Sequence, residues 1–327
     1  MAQPIIRDDL AFVFPGQGSQ AVGMLDEFLT DSAPEFDGLR ETFAQANDAL
    51  GYDLTALVRS GPADRLNETA VTQPAILTAS VGLWRTWLQL GGVRPAYFAG
   101  HSLGEYSALV CAGALSLAEA VSLVRDRGQL MQSAVPVGEG AMAAILGLAD
   151  DQVDACCASV PGEVASANYN TPGQVVIAGA AAAVEAAISA CKEAGAKRAM
   201  PVAMSVPSHS ALLADAAMQL GERLESVVLM APNGCVVHNV DALPAADPTS
   251  IRDKLVAQLH NPVRWSACSE YLVGAGVTTM VECGPGKVLS GMQKRIDKSC
   301  ATHALGSAAG LQGALDALVV SSLETPA

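Results

Sequence analysis

Short apolar runs alternate with longer stretches in which apolar residues recur every three to four positions, the mark of strands alternating with amphipathic helices. Residues 10–14 form an apolar run of strand length that ends in the tight loop Pro15-Gly16-Gln17-Gly18-Ser19-Gln20. Helical spacing covers 33–57 and again 73–91, where Leu77, Leu83, Trp84, Trp87 and Leu88 share an apolar stripe best read as core. A second strand at 96–99 runs through Gly100-His101-Ser102-Leu103-Gly104 into the helix-compatible stretch 107–110, and a further helix is predicted over 117–132.

After Val135-Pro136-Val137-Gly138 the pattern changes. Strand 141–146, helix 150–158, strands 164–167 and 174–178, helix 180–194 and strand 197–202 give β-α-β-β-α-β, the ferredoxin-like order. The chain then returns through Pro207-Ser208-His209 to helix 212–226, strand 235–240, helix 250–259, strand 278–282 ahead of Gly284-Pro285-Gly286, and an Ala-rich helical tail from 307. Strands separated by helices predict a parallel sheet covered on both faces. The expected fold is therefore α/β, with a discontinuous large lobe (1–136 and 206–327) and an inserted ferredoxin-like lobe (137–205).

A length of 327 residues accommodates one large core, or one core and a smaller lobe. With 50% hydrophobic and 16% charged residues the chain has the composition of a packed globular protein. A net charge of -14 argues against nucleic acid and anionic membranes as partners. The first residues contain neither a basic nor an apolar segment, and apolar stretches are interrupted before the ~20 residues of a membrane span, so a cytoplasmic protein is expected. The 8 cysteines include no Cys-x-x-Cys pair and read as small buried hydrophobes, and the 5 histidines include no ligand-spaced pair, so no metal is expected.

Gly-x-Ser-x-Gly between a strand and a helix has the form of a nucleophile elbow, with Ser102 at its tip. A serine hydroxyl needs a base to take its proton. His209 leads the five candidates because it sits on a constrained turn where the chain re-enters the large lobe, whereas His101 is expected to point away from its neighbour, and His238, His260 and His303 read as packed or solvated. Acyl transfer also needs N–H donors for a developing oxyanion. The N–H of Leu103 is one natural donor, and the loop 15–18 can supply another. That loop lacks a following Lys-Ser/Thr and the Gly-x-Gly-x-x-Gly spacing, which argues against a nucleotide phosphate site.

Phe14-Pro15-Gly16-Gln17-Gly18-Ser19-Gln20, Gly100-His101-Ser102-Leu103-Gly104-Glu105-Tyr106, Arg127-Gly128-Gln129-Leu130-Met131-Gln132, Gly173–Gly179, Val206-Pro207-Ser208-His209, Gln258–Val263 and Gly284–Leu289 succeed one another along the chain. In this order they resemble the signatures of the malonyl-CoA:acyl carrier protein transacylase family. The resemblance implies an α/β-hydrolase-like large lobe carrying the ferredoxin-like insertion. It also implies Ser102 as nucleophile, His209 as general base, the backbone N–H groups of Gln17 and Leu103 as oxyanion donors, Arg127 as the grip on the malonyl carboxylate, and the Gln258 main-chain carbonyl as the group orienting the histidine. His238 stands where an asparagine is expected and His260 where an aromatic is common. Independently of the family, a guanidinium offers a carboxylate a planar two-donor fork. Arg125 and Arg127 lie about 200° apart on a helix, so only one can face a given cleft.

Together these readings predict transfer of malonyl from malonyl-CoA to the phosphopantetheine thiol of an acyl carrier protein, with no cofactor, by a monomer. A thioesterase would share the elbow and the dyad. A non-catalytic carrier-docking subunit would be expected to lose Ser102 or His209. Because carrier proteins are usually acidic, a local basic surface is expected to receive one. Lys287, Lys294 and Lys298, spaced for one helix face beside Arg295, and Lys197 with Arg198 at the end of the inserted lobe, are the candidates.

Overall fold

The structure is a computed structural model that describes residues 6–202 and 206–319. Strand β1 (Ile6–Phe14) is followed by the short helices α1 (Asp26–Leu29), α2 (Asp37–Leu50), α3 (Leu54–Ser60) and α4 (Ala63–Leu66), then by the long α5 (Thr69–Gln89). Strand β2 (Arg94–Gly100) leads through the elbow into α6 (Gly104–Cys111) and α7 (Leu117–Ala134). The predicted helix over 33–57 is broken. Gly51 closes α2 in a left-handed conformation (φ 75°), and the Asp53 side chain accepts from the Ala56 N–H to start α3 afresh.

The middle of the chain forms β3 (Gly140–Leu146), α8 (Asp150–Ser159), β4 (Val164–Thr171), β5 (Gln174–Ala180), α9 (Ala181–Glu193) and β6 (Arg198–Pro201). Its antiparallel sheet has the order β4-β5-β3-β6, as the ferredoxin-like reading requires. Ile145, Val175 and Ile177 pack there against Val153, Val184 and Ile188 of the two helices. The chain continues with α10 (Ala214–Glu225), β7 (Cys235–Val237), α11 (Pro248–His260), α12 (Trp265–Gly274), β8 (Thr279–Glu282), α13 (Val288–Ile296), β9 (Ala301–Ala304) and α14 (Ala308–Val319).

The large sheet is parallel, in the order β7-β2-β1-β8-β9. Period-two alternation along β1 builds two cores: Leu10, Phe12 and Phe14 face the helices α2, α5 and α7, while Ala11 and Val13 face Trp265, Cys268 and Leu272 of α12. The helix α5 is buried on nearly every side, which is why its apolar stripe is so wide.

Several expectations change. The strand over 235–240 stops at Val237, and His238 lies beyond it in a turn closed by Ala242 N–H to His238 O at 3.0 Å. Helix α12 and the short edge strand β9 were not foreseen, β9 because its four residues present no apolar alternation, whereas the helix expected over 287–298 forms as α13 but ends earlier. Lys287, Lys294 and Lys298 do not share a helix face, because α13 ends at Ile296 and Asp297 is extended (φ -145°), which turns Lys298 off the helix. All eight cysteines are free, and all are buried except the half-buried Cys235. No helix among the described residues is long and apolar enough to cross a membrane.

Candidate active site

Parallel pairing sets Phe14 beside Gly100, so the loop after β1 and the elbow after β2 emerge side by side. His101 N–H donates to Phe14 O at 2.9 Å. Two glycines of the elbow are steric necessities. A Cβ on Gly100 would come 1.9 Å from the Gly104 carbonyl carbon, and one on Gly104 would come 2.0 Å from Phe14 O. Between them Ser102 takes a left-handed backbone (φ 52°). Its peptide groups are held at both ends: Ser102 N–H donates to Asn239 Oδ1 at 2.7 Å, and Gln258 Nε2 donates to Ser102 O at 2.9 Å.

The Ser102 hydroxyl lies 2.7 Å from His209 Nε2, and His209 Nδ1 lies 2.8 Å from the Gln258 carbonyl. A carbonyl only accepts, so Nδ1 carries the proton and Nε2 is bare toward the hydroxyl. Burial, reinforced by the nearby Arg127 cation, pushes the His209 pKa from 6.5 down to about 3, which keeps the imidazole neutral at physiological pH. A bare, neutral imidazole nitrogen at this distance can take the hydroxyl proton.

Arg127 is fully buried. Close packing of α7 on α5 brings it there, since a Cβ on Gly128 would sit 2.7 Å from Ala70 Cα. Its Nη1 donates to Gln73 Oε1 at 2.8 Å, and its Nη2 to Gln258 Oε1 at 3.0 Å and to Ser102 Oγ at 3.3 Å. The guanidinium also lies 5.4 Å from the Tyr106 ring centre. No carboxylate touches it among the described residues, and its Nε has no partner there. Burial lowers its pKa from 12.5. Arg125, by contrast, pairs with Asp126 at 2.9 Å, so the two arginines do face different ways.

Gln17 lines a cavity of about 70 Å³ together with Ser102, His209, Ser208 and Asn168. A larger cavity of about 210 Å³ adjoins it, bounded by the loop after β1, by Met142 and Val176 of the small sheet, and by Leu289 and Met292 of α13. The cleft therefore runs between the small sheet on one side and the loop after β1 with α13 on the other. Among the described residues neither the Gln17 nor the Leu103 N–H meets an acceptor, and Leu103 caps the start of α6 where such donors are free. His101 points away from the serine, its Nε2 2.8 Å from Asn170 Oδ1 of β4.

Ser102, His209, Arg127, Gln258, Gln17 and Leu103 are thus brought together. The six basic residues at Lys197, Arg198, Lys287, Lys294, Arg295 and Lys298 are exposed and outside this cluster. Gln73, Glu105, Asn168, Asn170 and Asn239 were not foreseen as site residues. Only Glu105 carried a signal, as a carboxylate directly after the elbow in an apolar helix. His260 is half-buried at the end of α11. Among the described residues no group of three or more His, Cys, Asp or Glu could hold a metal.

The acyl transferase domain family matches residues 11–314. The malonyl CoA-acyl carrier protein transacylase of Salmonella typhimurium is 55% identical over 307 residues, covering 93% of this chain and 98% of its own length. Among solved structures, an acyl carrier protein S-malonyltransferase from Vibrio cholerae superposes with a TM-score of 0.90 at 52% identity, covering 93% of this chain and 99% of that one. A malonyl-transacylase solved in complex with its type II PKS acyl-carrier protein superposes with a TM-score of 0.92 at 50% identity, covering 94% and 99%. The chain belongs to the malonyl CoA-acyl carrier protein transacylase family.

Proposed function

We propose that this chain transfers the malonyl group of malonyl-CoA to the phosphopantetheine thiol of an acyl carrier protein through a malonyl ester on Ser102. The observation that carries the reading is the Ser102 hydroxyl 2.7 Å from the bare His209 Nε2 and 3.3 Å from a buried guanidinium with no acid in contact. In the first step His209 takes the hydroxyl proton as Ser102 Oγ attacks the thioester carbonyl. The oxyanion is received by the N–H groups of Gln17 and Leu103, coenzyme A leaves, and His209 returns the proton to its sulfur. In the second step His209 takes the proton of the carrier thiol, the sulfur attacks the ester carbonyl, and as the ester C–O bond breaks His209 returns the proton to Ser102 Oγ and frees the serine. The Gln258 carbonyl keeps the imidazole in one tautomer throughout. Arg127 receives the malonyl carboxylate, which replaces part of its lost hydration.

The reading calls for no metal or cofactor and for a monomer working in the cytoplasm. The product serves fatty-acid or polyketide chain extension. It treats 1–136 with 206–327, and 137–205, as the two lobes that flank the acyl site. Lys197, Arg198, Lys287, Lys294, Arg295 and Lys298 are proposed to receive the carrier. Of these, Lys197, Arg198 and Arg295 share one end of the small sheet, because Leu146 pairs with both Gln174 and Arg198, and Arg295 donates to Gln174 Oε1 at 3.0 Å.

The test is incubation with radiolabelled malonyl-CoA followed by carrier protein. Label should appear on the protein and move to the carrier, and Ser102→Ala should take none. Stable labelling of Ser102→Ala would overturn the assignment. Rapid loss of label to water, with little reaching the carrier, would identify a thioesterase instead.

A further inference from the structure

A buried carboxylate behind the elbow takes no part in the steps above. Glu105, in the first turn of α6, and His238, just past β7, are both fully buried. His238 Nδ1 donates to Glu105 Oε1 at 2.7 Å. Glu105 Oε2 accepts from the Asn239 N–H at 2.9 Å and from Gln258 Nε2 at 3.1 Å. Those two partners are the residues that hold the serine backbone, Asn239 through its Oδ1 and Gln258 through the same Nε2. Asn239 Nδ2 also donates to Gly100 O at 2.7 Å, and Gln258 Oε1 accepts from Arg127. One carboxylate therefore stands behind both supports of Ser102 and one support of Arg127.

Burying a carboxylate costs several kcal/mol of hydration, and three donors on two oxygens offset it only while all stay in place. Such a network, when satisfied, holds one geometry. The His238 donor is itself fixed, because its backbone is tied to Leu243 O at 3.2 Å and its carbonyl accepts from Ala242 N–H and from Cys268 Sγ at 3.4 Å.

We propose that Glu105 and His238 are positioning residues for malonyl transfer: through Asn239 and Gln258 they hold Ser102 in its left-handed conformation and aim the Arg127 guanidinium at the malonyl carboxylate. The proposal rests on the roles given above to Ser102 and Arg127. It makes His238 more than a filler at a position where an asparagine would serve, since either side chain presents an N–H to the carboxylate.

The test is single-turnover acylation by malonyl-CoA and by acetyl-CoA, normalised to the folded fraction from circular dichroism. His238→Leu removes the donor and frees the carboxylate to swing. The saturating malonyl acylation rate should fall roughly tenfold or more, the scale of a misplaced reacting group, with a smaller change in half-saturation. The malonyl-to-acetyl ratio should fall severalfold as Arg127 loses its aim. His238→Asn should recover most of both. Glu105→Gln, which sets an amide N–H against donors, is an independent arm with the same expected direction. Unchanged rate and ratio per folded molecule in these variants, with only a lower melting temperature, would overturn the proposal. Equal losses of malonyl and acetyl transfer that His238→Asn does not recover would overturn it as well. A wild-type protein that takes no label would instead sink the transfer reading itself.

Discussion

Ser102 and His209 both hold positive φ, 52° and 62°, in a region that side chains other than glycine occupy at a cost of about 1 kcal/mol or more. The strain serves geometry, since it points hydroxyl and imidazole at each other across the cleft. Ser102→Gly should therefore be as inactive as Ser102→Ala but more stable by roughly 1 kcal/mol, read from denaturant midpoints. Equal midpoints would show that the elbow carries no such strain. For Arg127 the expectation concerns selectivity. Removing one partner of a desolvated, hydrogen-bonded ion pair costs about 2–5 kcal/mol, or roughly 30-fold and upward in kcat/KM. Arg127→Ala should lose malonyl transfer on that scale while acetyl transfer is lost far less, and Arg127→Lys should restore only part, because an ammonium lacks the planar fork. Equal losses for the two acyl groups would make the arginine structural. His209 sets the pH dependence. Its folded pKa of about 3 lies below the usual 6.5, so between those values the unfolded chain binds more protons than the folded one. Its contribution to stability is thus complete above the unfolded value and is lost as pH falls from 6.5 through about 3. Malonyl kcat/KM should show no inflection near the ordinary histidine value, and a clear one there would contradict a buried neutral base.

At the scale of elements, the junction of β2 with α6 is tightly constrained. Gly104→Ala would drive a methyl to 2.0 Å from Phe14 O, a backbone atom of the neighbouring strand that cannot step aside. Its expected cost is at the upper end of overpacking, about 3 kcal/mol, measured by chemical denaturation. A loss below about 1 kcal/mol would mean that β1 and β2 can separate at this point. The break between α2 and α3 shows the opposite case. Gly51 and Asp53 are ordinary stop and start signals in the sequence, and they override the apolar spacing that runs through them. Strand β7 ends early for another reason: its next two residues turn inward, so that His238 and the Asn239 N–H can bond Glu105.

For the whole molecule, the candidate site lies where five separated stretches converge: the loop after β1, the elbow, α7, the turn at His209 and the end of α11. Strand β4 of the small sheet is tied beside it by Tyr169 N–H to Val263 O at 2.9 Å and by Asn170 to His101 of the elbow. The net charge of -14 repels an acidic carrier at long range, so a basic surface has to act locally. Arg198→Glu combined with Arg295→Glu should raise the carrier KM severalfold at low salt and change acylation by malonyl-CoA far less. An unchanged carrier KM would remove this end of the small sheet from the docking surface.

The order of strands and helices, the inserted β-α-β-β-α-β unit and the elbow were legible in the sequence, because each is written in neighbouring residues as periodicity, turn chemistry or glycine spacing. His209 was legible only as the leading candidate of five until the family signatures singled it out. Of the polar supports only Glu105, a carboxylate directly after the elbow, carried a signal. Gln73 and Asn239 belong to no local pattern, and contacts such as Arg127 to Gln73 or Gln258 to Ser102 join residues 54 and 156 positions apart. Spacing within an element says which face a side chain takes, whereas the partner it meets on that face depends on which distant element is packed there. The lowered pKa values of the His209 imidazole and the Arg127 guanidinium are likewise products of desolvation, which exists only once the surrounding elements have closed around them.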